Sequence, residues 1–123
     1  MTITLQRILY HFFDAKGTYH NGDDYVINAA FSELSYQGNA IAVLKGMGPE
    51  YSILCVSTRG CDNRATLTRL NAIIKRFYDS NCSPYEPVRK NNIDGGFTLF
   101  GKPWNGLWAQ MKGHKPNTWR YVK

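Results

Sequence analysis

The side chains with the widest chemical reach in this chain are its cations. Twelve of the fifteen Lys and Arg residues follow position 58. Residues 59–123 set twelve cations against four carboxylates, a balance of +8, while residues 1–58 carry −2. A near-neutral half joined to a strongly basic half presents a basic face to an anionic partner. The cations fall in two places. Arg64, Arg69, Lys75 and Arg76 lie in a segment of helical periodicity. There they border its apolar face as two rails, Arg64 and Lys75 on one side, Arg69 and Arg76 on the other. Ala65, Thr68 and Ala72 lie between the rails and would let a phosphate backbone or an acidic surface approach closely. The competing reading is that the cationic stems only cover the edges of the core. The second place is the C-terminal segment, where Lys102, Lys112 and Arg120 alternate with Trp104, Trp108 and Trp119. Interleaved rings and cations suit base stacking with phosphate contact, a protein-interface hot spot, or rings that complete a small core.

Other chemistry is weakly supported. Cys55, Cys61 and Cys82 are an odd number, which excludes a complete intramolecular disulfide framework and suits a reducing cytosol. With His114 they could supply four zinc ligands, but the closely paired ligands of structural zinc sites are missing. Cys61 precedes a helix N-terminus and two arginines flank it, a setting that activates thiols, yet no His is placed beside it. His20 with Asp23 and Asp24 could form a base and carboxylate group, although polar loops more often satisfy their own backbone. Gly46-Met47-Gly48 is too short for a dinucleotide fingerprint. These readings imply no cofactor, no metal and no assembled catalytic motif; a small nuclease or thiol-dependent enzyme is the reading they leave behind.

The elements that must hold these residues follow from periodicity. At 123 residues the chain has the size of one domain. Its 43% hydrophobic content fits a globular chain. Leu5, Ile8, Leu9, Phe12 and Phe13 predict a helix over Thr4–Ala15. Residues 18–24 read as a loop turning at Asn21–Gly22, and Tyr25–Phe31 is ambiguous between strand and helical turn. Ser35–Asn39 reads as a polar connection. Ala40–Leu44 and Tyr51–Ser57 predict a hairpin around residues 45–50. Leu67, Leu70, Ile73, Ile74, Phe77 and Tyr78 predict a second helix over Arg64–Tyr78, capped by Asp62 or Asn63. Residues 79–96 read as a long surface loop. Phe97–Phe100 and Leu107–Met111 read as a last hairpin. The fold class is therefore α+β, one domain over 1–123, with an antiparallel sheet, the second helix packed on it and an N-terminal helix. No apolar run reaches the ~20 residues of a membrane span, and the N-terminus does not read as a signal peptide. A soluble, cytoplasmic protein is expected.

Residues 35–43, Ser-Tyr-Gln-Gly-Asn-Ala-Ile-Ala-Val, precede a glycine turn, the strand Tyr51–Thr58 and a helix rich in Thr, Arg, Leu and Asn. Over residues 35–77 this resembles small accessory proteins encoded by bacteriophages and plasmids. Arg69 stands where that pattern has a His, and no catalytic residue carries over. The resemblance implies a viral or mobile-element origin. Small size and the basic aromatic half make the leading expectation a non-enzymatic binding protein. Its role would be to inhibit a host nucleic-acid-processing or defence machine of restriction or CRISPR type, by meeting an acidic protein surface or bound nucleic acid. A direct DNA- or RNA-binding module is the alternative. A homodimer would be one way to hide the C-terminal rings.

Overall fold

The structure, a computed structural model, describes residues 2–46, 51–78, 86–91, 93, 95–113 and 115–122. Helix α1 (Ile3–Phe13) starts at Thr2, whose Oγ1 accepts from Leu5 N, and buries Ile8 and Phe12. Five strands follow: β1 (Gly17–Asn21), β2 (Asp24–Asn28), β3 (Ser32–Tyr36), β4 (Asn39–Lys45) and β5 (Ile53–Val56). Helix α2 (Arg64–Phe77) is capped by Asn63, whose side chain accepts from Thr66 N. The remaining strands are β6 (Val88–Lys90), β7 (Phe97–Leu99), β8 (Lys102–Trp104), β9 (Ala109–Lys112) and β10 (Lys115–Tyr121). A seven-stranded sheet runs β1-β2-β3-β4-β5-β9-β10, and a three-stranded sheet runs β6-β7-β8. Every neighbouring pair is antiparallel. The expected α+β class is the one observed.

One face of the large sheet carries the core. Val26, Leu34, Ala42, Leu54, Val56, Ala109 and Met111 point inward at alternate positions. A bulge in the β3–β4 pairing admits Ile41 to the same side. Helix α1 lies against β1, β2 and β3, and α2 against β4, β5 and β6. The small sheet continues this layer, adding Val88, Phe97, Leu99 and Trp104 to the core. The opposite sheet face has no covering element among the described residues.

Four sequence expectations change. Ser35–Asn39, read as a connection, ends β3 with Ser35 and Tyr36 and starts β4 with Asn39. The 18–24 loop is a hairpin: β1 is an exposed edge strand with no apolar alternation to announce it. The 79–96 loop contains β6, while residues 79–85 lie outside the described residues. The hairpin of Phe97–Phe100 with Leu107–Met111 does not form. Phe100 and Gly101, at φ 51 and 81, make a two-residue turn that folds β8 straight back on β7. The chain then crosses at Gly106, whose carbonyl accepts from Ser57 Oγ at 2.9 Å and Thr58 N at 3.0 Å. That crossing delivers β9 to β5. Gly106 has φ 84, and a Cβ there would collide with Thr58 Oγ1. Gly106→Ala should therefore destabilise the fold by about 2 kcal/mol or more, read as a lowered urea midpoint.

The helix layer is tied to the sheet by charge. Arg69 donates through Nε to Asp24 Oδ1 at 2.6 Å and through a terminal nitrogen to Oδ2 at 2.8 Å. Its other terminal nitrogen donates to Ala65 O, and its guanidinium lies 4.2 Å from the Tyr36 ring centroid. The two side chains are 15% and 4% exposed, and the hydrogen bonds that Arg69 donates to the Asp24 carboxylate hold its pKa above the ordinary value. Removing one partner leaves the other charged and buried, which costs about 3 kcal/mol or more. Asp24→Ala should lower the unfolding free energy by that amount. Adding Arg69→Met should restore most of it. Equal losses in the single and double variants would show that no unpaired charge is at stake.

Candidate functional site

The outward surface of α2 and the strand β6 enclose an open groove of about 820 Å³. Thr68 and Ala72 line it, with Arg64 and Lys75 from α2 and Arg89 and Lys90 from β6. The groove exists because β6 is held against the helix by Asn71. This buried amide donates to Val88 O at 3.0 Å and accepts from Val88 N at 2.6 Å. One helical side chain thus satisfies the donor and the acceptor of a strand residue, much as a neighbouring strand would.

Charge in the groove is only loosely internal. Lys75 Nζ lies 2.6 Å from Glu86 and Lys90 Nζ 2.9 Å from Asp62. Glu86 and Asp62 are 47% and 57% exposed, and pairs this open contribute little. The Lys90 ammonium holds the Asp62 carboxyl below its usual range. Among the described residues no ion pair engages Arg64, and α2 has no acid in its first turn. Arg64 therefore adds a cation to the electropositive end of the helix.

The anticipated rails separate. Arg64 and Lys75 face the groove with Thr68 and Ala72. Arg69 does not act as a surface cation, because Asp24 takes its fork. Arg76 pairs with Asp14 at 3.2 Å and lies 4.9 Å from the Phe13 centroid, joining α2 to the end of α1. Of the C-terminal rings, Trp104 is 2% exposed and its Nε1 donates to Leu107 O. It belongs to the core and cannot present a stacking surface. Trp119 is half-buried with Nε1 donating to Leu99 O. Trp108 is half-buried ahead of β9, and Lys102 is exposed on β8. Lys112 and Arg120 alternate with inward residues of β9 and β10 and lie together on the open sheet face, away from the groove. The two basic regions do not converge.

The groove residues missed in the sequence are Asn71, Arg89 and Lys90. Arg89-Lys90 sits in the stretch read as loop, and its only signal was two adjacent cations after Pro87-Val88. The candidates for catalysis stay apart. His20 Nε2 lies 3.0 Å from Gly22 O within its own hairpin, and Cys61 Sγ accepts from Asn63. No group of three or more His, Cys, Asp or Glu among the described residues is placed to hold a metal. Cys82 and His114 lie outside the described residues. No described helix is long and apolar enough to cross a membrane. Comparisons with protein-family models, curated proteins and solved structures found no match.

Asn71→Ala should strand the buried N–H and C=O of Val88 and cost about 2 kcal/mol. Hydrogen exchange at Val88 N should accelerate well beyond that at Val26 N. Unchanged protection at Val88 would mean that other contacts hold β6 in place.

Proposed function

We propose that this chain is a non-enzymatic binding protein whose α2–β6 groove takes an anionic surface of a host nucleic-acid-processing or defence machine, and that it acts as an inhibitory accessory factor of mobile-element type. The observation that carries the reading is the groove itself. It is a concave site lined by four cationic side chains against one carboxylate, Glu86, with small residues on its helical wall. Its ion pairs are exposed enough to be exchanged for an external carboxylate or phosphate at little cost. Arg64 stands at the helix end where a negative group gains further from the backbone dipoles.

A second reading, direct recognition of a nucleic-acid backbone, is favoured by Thr68 and Ala72, which leave room for a phosphate to reach the helix surface. The readings part on salt and on partner. A groove for an acidic protein retains a defined protein from nuclease-treated host lysate. A nucleic-acid module instead retains an oligonucleotide, with affinity falling steeply as salt rises.

Arg64→Glu combined with Lys90→Glu should abolish retention of that protein, with circular dichroism and thermal stability near those of the parent. Reversal of two rim charges should weaken binding by about tenfold or more, measured by immobilised-chain titration. Retention unaffected by the double reversal would remove the groove as the site.

A further inference from the structure

The uncovered face of the large sheet is not a simple polar surface. Pairing aligns Ile27, Glu33, Val43, Cys55, Gln110 and Arg120 as one row across β2, β3, β4, β5, β9 and β10. A second row sets Lys45 against Ile53 and Ile53 against Lys112. Residues paired directly across strands share a face. Ile27, Val43, Ile53 and Cys55 are partly buried, and Tyr25, between the buried Asp24 and Val26, is 40% exposed. The face therefore has an aliphatic centre with cations along its β9–β10 side. No ion pair engages Lys45, Lys112 or Arg120 among the described residues.

We propose that this open face docks a protein segment with an apolar side flanked by carboxylates. Two features select that occupant. The central positions are aliphatic, whereas sheet platforms for single-stranded nucleic acid present aromatic rings on which bases stack. Among the residues whose side chains are described, the charged groups on these rows are Lys45, Lys112 and Arg120 against Glu33. A second copy packed face to face would bring two sets of three cations together with only two carboxylates, and like charges in one interface oppose association. An acidic amphipathic segment meets the aliphatic centre and the cationic side at once. The site is separate from the α2–β6 groove and does not rest on the reading given to it.

Two synthetic helical peptides with the same leucine stripe, one with glutamates and one with lysines on the remaining surface, are the probes. In amide NMR spectra of the full chain, the glutamate peptide should shift Val43, Ile53, Cys55 and Gln110 and leave Thr68 and Ala72 in place. It should also slow alkylation of the Cys55 thiol, whose pKa burial raises despite Lys45 nearby, so labelling is best read in mildly alkaline buffer. Lys112→Glu with Arg120→Glu should weaken the glutamate peptide by about tenfold and admit the lysine peptide. Arg64→Glu with Lys90→Glu should leave both results unchanged, which separates this site from the groove. Equal binding of the two peptides, or shifts centred on α2, would overturn the proposal. So would an oligonucleotide that displaces the glutamate peptide, or a dimer in sedimentation that itself protects Cys55.

Discussion

The Arg69 fork on Asp24 is the contact on which the layered arrangement turns. It joins the middle of α2 to the second strand from the sheet's edge, across 45 residues of sequence. A hydrophobic face can slide or rotate on another with modest loss, because dispersion has no direction. A bidentate guanidinium–carboxylate pair cannot, since both nitrogens must stay in the plane of both oxygens. Stacking on Tyr36 fixes the remaining freedom of the guanidinium. The position of α2 follows, and with it the wall of the groove, the seat of Asn71 and the place where β6 can be held. Arg76 with Asp14 repeats the tie at the C-terminal end of the helix, in a more exposed and weaker form.

This changes what the charge asymmetry means. The basic half and the near-neutral half are not two surfaces. They partly neutralise each other where Arg69 reaches Asp24 of β2 and Arg76 reaches Asp14 at the end of α1. The cations that remain outward are divided by the sheet. One set lies in the helix layer on the groove, the other on the bare face of β4, β9 and β10. Net charge alone could not distinguish these outcomes, because the sign of a side chain says nothing about whether a carboxylate 45 positions away will fold onto it.

Periodicity made the two helices and the β4–β5 pair legible, and Asn63 was among the capping residues anticipated. In those segments the apolar spacing and the local backbone preference agree. Five strands escaped notice: β3 and β8 fall partly or wholly in stretches read as a connection and a turn, and the other three are polar. β1 is exposed along nearly its whole length, β10 ends in alternating rings and cations, and β6 is three residues long with two cations. Edge strands are often marked by charge because they need not bury a face, so hydrophobic alternation cannot reveal them. The partner of β9 was also beyond sequence reasoning. It depends on a tight turn at Phe100–Gly101, which pairs β7 with β8 instead of β9, and on the Gly106 carbonyl, whose donor Ser57 is 49 residues away. The groove shared that fate, since half of it comes from a strand that a loop reading concealed.

The amide of Asn71 also bears on what the edge of the small sheet can pair with. β6 is the outer strand of the small sheet, and an outer strand offers its backbone as a template for another chain. On Val88 both hydrogen-bonding groups are already taken by the helix. A would-be invading strand therefore meets an edge whose register-setting residue is occupied. Asparagine does this where aspartate could not donate and leucine could do neither. A single side chain, buried for the sake of local fit, thus also closes the β6 edge at Val88 to a pairing strand.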